Sequence, residues 1–253
     1  MNRLRSSLHM LWMIVSIIPW TLVTLGLAPF VSGQRLYRIC VAWLRRVVHD
    51  ARWMLGIRNR ISGWEHLPLD APGGVVLLVK HQSTWETFVL PSLLPRPLAF
   101  VFKRELLRIP FFGWAMGRVD MIYIDRGRRI EAMGKILREG KRLLDGGTWV
   151  VMFPEGTRTE RGSQGKYQSS GARLAIEAGV PVVPVAVTSA RCWPRKAFVK
   201  RPGVVDISFG PPIDSTGRKA HELMRQVEQW IEAEMRRLDP DAYADLESTA
   251  PAP

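Results

Sequence analysis

Cysteine is scarce in this chain: two residues, Cys40 and Cys192, at a spacing that suits neither a metal site nor a redox pair. A disulfide-stapled scaffold is therefore excluded, and the thiols read as reduced residues of a cytosol-facing protein. No Gly-x-Ser-x-Gly elbow occurs, so the sequence offers no serine nucleophile of the hydrolase kind. Gly-x-x-x-x-Gly-Lys-[Ser/Thr] and His-Glu-x-x-His are missing too, which removes P-loop nucleotide chemistry and a zinc hydrolase. There is no internal repeat and no obvious linker, so 253 residues favour one main domain. Acidic residues are few, 23 against 36 Lys and Arg, leaving a net charge of +13. That balance favours an anionic partner: nucleic acid, an anionic membrane surface or a phosphorylated substrate.

Charge is also absent locally. No Lys, Arg, Asp or Glu lies between Arg5 and Arg35, and residues 8–31 are almost continuously apolar. About 20 such residues cross a bilayer, so residues 1–34 are expected to form a membrane anchor. Pro19 either kinks one spanning helix or forms the turn of a shallow helical hairpin. Arginines on both flanks (Arg3 and Arg5, Arg35 and Arg38) favour the hairpin. A cleaved signal peptide is the alternative, but the apolar region exceeds the usual length of such a core. Residues 35–56 then show helical spacing of Leu36, Cys40, Trp43, Val47 and Leu55, with Arg38, Arg45, Arg46 and Arg52 between them. This basic amphipathic helix suits anionic lipid, or packs on the domain with a solvated basic face; both can hold at once.

From residue 57 short apolar runs alternate with helical patterns. Strands are predicted at 57–63, 75–79, 98–102, 121–124, 148–152, 182–188 and 204–209, and helices at 84–90, 111–117, 128–144, 170–178 and 216–238. The fold class is α/β, one domain over 57–238 with a mostly buried mixed sheet flanked by helices. Residues 239–253, rich in Ala, Asp and Pro, are expected to form a flexible tail.

Two stretches carry chemistry. The first is the apolar run 75–79, which turns abruptly polar at Lys80-His81-Gln82-Ser83-Thr84-Trp85-Glu86. Ser83 to Glu86 has the form of a capping box, placing a helix start there and ending it near Pro91. His81 then sits in a strand-to-helix turn, with Glu86 in the first helical turn, where a carboxylate tends to stay ionised. In that geometry Glu86 can fix the tautomer of His81, whose other nitrogen accepts a proton. A capping Glu beside a structural His fits the same residues, and these residues alone do not separate the two. The second stretch is Phe153-Pro154-Glu155-Gly156-Thr157-Arg158. Gly156 permits a sharp turn, while Thr157 and Arg158 offer a hydroxyl and a guanidinium fork suited to phosphate. Lys103-Arg104 and Asp125-Arg126-Gly127-Arg128-Arg129 lie in further basic loops. A tight turn with Arg158 paired to Glu155 is the plainer reading.

Taken in order, these blocks resemble the glycerolipid acyltransferase family, in particular its bacterial 1-acyl-sn-glycerol-3-phosphate acyltransferases. The family's His-x4-Asp block is matched by His81 to Glu86, with Glu where Asp is usual. Lys103 to Gly113, Tyr123 to Arg126, Phe153 to Arg158 and Val180 to Val185 resemble the blocks that follow. The likeness covers roughly residues 60–215 together with the apolar N-terminus. It implies acyl transfer from acyl-carrier protein or a coenzyme A thioester to lysophosphatidic acid, with His81 and Glu86 as a catalytic dyad. Lys103, Arg126, Glu155, Gly156, Thr157 and Arg158 are then expected to bind substrate. The resemblance implies no metal, no cofactor beyond the acyl-donor substrate and no nucleic acid. It implies a place at the bacterial inner membrane, on its anionic surface, with the catalytic domain facing the cytosol. The rival readings are a sibling enzyme acting on lyso-ornithine lipid or glycerol 3-phosphate, and a non-catalytic basic membrane binder.

Overall fold

The protein, described over residues 1–244 by a computed structural model, begins with two long helices. α1 (Asn2–Leu27) runs unbroken through Pro19. A proline inside a helix removes one backbone donor without forcing reversal; of the two readings of Pro19, a single helix running through it is what α1 shows, and the favoured hairpin turn there is corrected. The chain reverses at residues 28–32 and returns as α2 (Gly33–Met54). Two indole N–H groups stitch this hairpin together: Trp20 donates to the carbonyl of Ile39 at 2.8 Å, and Trp43 donates to Ser16 Oγ at 3.0 Å.

Polarity along α1 is inverted. Ser6, His9, Thr21 and Thr24 are buried, whereas Leu8, Leu11, Ile14, Val15, Leu22 and Val23 are each about half exposed or more. A helix folding in water turns its apolar stripe inward; one touching hydrocarbon has no reason to. The arrangement is compatible with membrane association.

The domain proper is a seven-stranded sheet. In chain order its strands are β1 (Ile57–Ser62), β2 (Val76–Val79), β3 (Leu98–Lys103), β4 (Ile122–Ile124), β5 (Trp149–Met152), β6 (Val182–Val187) and β7 (Gly203–Phe209). They lie in the order β1-β7-β6-β2-β5-β3-β4. Among the described strands only β6 and β7 pair antiparallel, so the sheet is mixed as expected. Between the strands run α3 (Trp85–Leu93), α4 (Phe112–Met116), α5 (Arg129–Asp145) and α6 (Ser170–Ala178), and α7 (Ala220–Leu238) follows. Pro91 lies inside α3, which runs past the predicted end at residue 90 and stops at Leu93, two residues beyond the proline.

β2 occupies the centre, with Val76 opposite Val150 on one side and Val182 on the other. A strand covered on both faces has no polar side, hence its unbroken apolar run. Leu77 and Val79 join the core with Trp43, Val47, Trp85 and Phe88, beneath α2 and α3. Val76 and Leu78 point the other way, into the core with Ile136, Leu174, Val227 and Ile231 from α5, α6 and α7. At Gly171 of α6 a Cβ would lie 2.4 Å from a Leu78 methyl, so only glycine lets this helix sit so close to β2.

The stretch expected to be a tail starts as packed chain. Asp239 and Tyr243 are each about 1% exposed, and Asp239 accepts hydrogen bonds from Arg161 and Arg191. Two arginines from distant parts of the chain tie it down, which composition could not reveal. Residues 245–253 lie outside the described residues.

The topology fixes where chemistry can gather. β6, β2, β5, β3 and β4 are adjacent and parallel, so the segments leaving their carboxyl ends share one edge, the usual ligand side of an open α/β sheet.

Candidate active site

At that edge the central strand hands over to α3. The N–H of Lys80 makes the last ladder bond, to the carbonyl of Val185 at 2.9 Å. His81 follows, and then a reciprocal cap. Ser83 Oγ accepts from the N–H of Trp85 at 3.1 Å, and the Glu86 carboxylate accepts from the N–H groups of Ser83 (3.0 Å) and Gln82 (2.9 Å). Half of the predicted capping box is therefore present: Glu86 reaches back to the Ser83 N–H, whereas Ser83 Oγ takes the N–H of Trp85 in place of that of Glu86, and Thr84 is the N-cap of α3. The same carboxylate, fully buried, holds its Oε2 3.7 Å from His81 Nδ1. That distance is long for a hydrogen bond but short for a charge contact. Cap and neighbour of His81 are thus one role: the backbone donors hold the carboxylate where the imidazole meets it.

The imidazole is clamped from a second side. It stacks flat on Phe153, with ring centroids 3.7 Å apart and planes 17° from parallel. Its carbonyl accepts from the N–H and the hydroxyl of Thr159, at 2.8 and 3.2 Å. With Nδ1 turned to Glu86, Nε2 is the nitrogen left for a substrate. The side chain is 14% exposed, enough for access from the edge.

Sequence reasoning missed Ser189. It stands just past β6, the neighbour of β2, and its buried hydroxyl donates to Glu86 Oε1. No local motif marks a serine 103 residues from its partner. The usable signal was positional, since it follows a strand that ends at the same edge.

The β5 turn sorts the remaining candidates. Gly156 adopts φ +67°, and nothing lies within 4 Å of the place where a Cβ would be. The turn is left-handed there, with open space beside it. Glu155, expected among the substrate-binding residues, points inward instead. Its Oε1 accepts from Lys80 Nζ at 2.8 Å and its Oε2 from the N–H of His81 at 3.0 Å. A carboxylate so buried needs a cation and donors, and Lys80 supplies the cation, so Arg158 is not its partner. Arg158 donates instead to Thr84 Oγ1 at 3.0 Å, crossing to the start of α3. Arg126 leaves β4, three strand spacings or roughly 14 Å from β2, and reaches back to the carbonyl of Gly156. Lys103, at the end of β3, and Thr157 are exposed on the same edge. One imidazole, one buried carboxylate and three cationic side chains thus come from turns that the sheet sets side by side. Cys192 offers no competing nucleophile: burial pushes its thiol up to about 11, so it stays protonated near neutral pH.

A histidine beside a buried carboxylate thus stands at a cationic edge of the sheet, and residues 58–188, which hold both groups, match the family model described as Acyltransferase. The protein is an acyltransferase. Over 241 residues it is 37% identical to the 1-acyl-sn-glycerol-3-phosphate acyltransferase of Pseudomonas aeruginosa, covering 94% of this chain and 92% of the relative. The Escherichia coli protein of the same name is 29% identical over 181 residues, 69% of this chain and 73% of that one. The crystal structure of the 1-acyl-sn-glycerophosphate (LPA) acyltransferase of Thermotoga maritima shares the fold, with TM-score 0.77 at 22% identity over 94% of this chain and 98% of that one. The chain belongs to the lysophosphatidic acid acyltransferase family.

Proposed function

We propose that the protein moves a fatty acyl group from an acyl-carrier-protein or coenzyme A thioester to the 2-hydroxyl of 1-acyl-sn-glycerol 3-phosphate, giving phosphatidic acid. The observation that carries this reading is the His81–Glu86 contact at 3.7 Å, set beside Arg126 and Arg158. His81 Nε2 takes the hydroxyl proton as the oxygen attacks the thioester carbonyl, and Glu86 offsets the imidazolium charge. Collapse of the tetrahedral intermediate breaks the carbon–sulfur bond, and the proton leaves with the thiolate. Lys103, or N–H groups of the open Gly156 turn, are the donors available to the oxyanion. Arg158 and Arg126 hold the phosphate as guanidinium forks. The inverted polarity of α1 and the arginines of α2 suit a place on the bacterial inner membrane, with the site on the cytosolic side.

The test is acyl transfer by purified protein on vesicles, with each thioester donor and a panel of acceptors. Phosphatidic acid formed from lysophosphatidic acid at the highest kcat/KM is the expected result. A preference for lyso-ornithine lipid or glycerol 3-phosphate would contradict it.

A further inference from the structure

Beneath the edge, four polar side chains from four segments meet, three of them buried and Tyr167 partly so. Lys80 Nζ lies 2.8 Å from Glu155 Oε1 and 2.7 Å from Glu232 Oε1. Tyr167 donates its hydroxyl to the same Glu232 oxygen at 2.8 Å. Lys80 and Glu155 side chains are 0% exposed and that of Glu232 is 4%. Glu232 belongs to α7, beyond the stretch 58–188 that matches the family model.

The cluster grips the two chemical turns. Lys80 adjoins His81, and its ammonium also donates to the carbonyl of Ser163 at 3.0 Å. Glu155 accepts from the N–H of His81 at 3.0 Å and from the N–H of Gly165 at 3.2 Å. The backbone of His81 and both ends of the segment 155–165 are thereby fixed to one ammonium. Two carboxylates compete for that ammonium. Glu155 uses its second oxygen on His81, so the position of Lys80 between the two acids sets where Glu155 sits. Burial and the carboxylates of Glu232 and Glu155 push the Tyr167 hydroxyl well above its usual pKa, so it remains a donor to Glu232.

We propose that Glu232 is a positioning residue for acyl transfer, acting through Lys80 and Glu155 on the backbone of His81 and on the Gly156 turn. The inference rests on His81 being the base. Losing the Glu232 charge lets Lys80 move toward Glu155, which draws that carboxylate off the His81 N–H and shifts the turn that carries Gly156 and Arg158. Small displacements of reacting groups are costly in rate, up to about 100-fold for 1 Å.

The experiment compares full-length wild type with Glu232→Gln, Glu232→Leu, Tyr167→Phe and His81→Ala, using lysophosphatidic acid and one thioester donor. Glu222→Gln, at the exposed start of α7, is the control. Glu232→Gln is expected to lower kcat about tenfold and to raise KM for lysophosphatidic acid about fivefold, leaving KM for the donor unchanged. Glu232→Leu, which keeps no acceptor for Lys80 or Tyr167, is expected to lose more. A purely structural role reduces the active fraction, so it moves kcat and neither KM. That pattern, or wild-type kinetics in Glu232→Gln, overturns the proposal. Should the Gln variant not fold, Tyr167→Phe decides: about a threefold fall in kcat with a raised acceptor KM supports it, and wild-type kinetics overturn it. An active His81→Ala protein would sink the reading beneath it instead, whatever Glu232 does.

Discussion

Two turns at the carboxyl edge of the sheet invite comparison. The β2–α3 turn and the β5 turn each follow a four-residue buried strand. Each holds a buried glutamate, Glu86 or Glu155, that accepts backbone N–H groups. The difference lies in what remains unmatched. Glu155 is neutralised by Lys80 and serves the scaffold. Among the described residues Glu86 has no cation within hydrogen-bond reach; its donors are N–H groups and the Ser189 hydroxyl, and its second oxygen faces His81 Nδ1, which has no hydrogen-bond partner among them. Burial of an acid says little about its task, whereas the group left to meet it says much. One carboxylate already meets a cation, and the other meets an imidazole whose charge, in the proposed mechanism, develops only during the reaction.

Substitutions can break this contrast. The largest effect is expected from His81→Ala, with turnover down about 10²–10⁴-fold and little change in melting temperature. Initial rates of phosphatidic acid formation measure it, and near-normal rates would leave Glu86 without a partner to serve. Glu155→Leu should act on stability as well as on turnover. Removing one side of a buried ion pair costs about 3–5 kcal/mol, a fall in melting temperature on the order of 10 °C for a chain of this size. An unchanged thermal melt would show that Glu155 is not a scaffold residue.

Arg158→Ala sharpens the view of the β5 turn. Its guanidinium is exposed, so the fold should survive, while KM for lysophosphatidic acid rises about tenfold and that for the donor stays put. Equal changes in both constants would assign Arg158 to bracing Thr84 and not to phosphate. The smallest effect is expected from Ser189→Ala, about a threefold loss of turnover, because the backbone donors still hold Glu86. A loss as large as that of His81→Ala would make Ser189 a reacting group rather than a support.

Much of this was legible in the sequence, for reasons that differ by element. The strands were readable because central strands covered on both faces must be apolar throughout, as β2, β5 and β6 are. The Glu86–Ser83 half of the capping box was readable because its partners lie three residues apart. Glu155 was misplaced because its cation, Lys80, is 75 residues away and their pairing depends on strand order. Ser189 and Glu232 were invisible for the same reason, at 103 and 152 residues from the groups they meet. At Pro19 a kinked helix and a hairpin turn were both open and the flanking arginines favoured the turn, yet α1 needs only to forgo one backbone bond there. The tail from Asp239 was judged on composition, which is blind to the arginines that bind it.

The claim at the centre is that the charge of Glu86 serves His81, beyond its service as a cap. In Glu86→Gln the amide oxygen can replace Oε1 toward Gln82, Ser83 and Ser189. The amide nitrogen then replaces Oε2 and donates to His81 Nδ1, which puts the imidazole proton on Nε2, the nitrogen that must accept. Turnover and melting temperature are measured together for Glu86→Gln and Glu86→Asp. The account predicts near-normal melting for the Gln protein, with turnover down about 10²-fold or more, and an Asp protein that keeps far more activity. A fully active Glu86→Gln protein would contradict it, leaving Glu86 as a helix cap and nothing else.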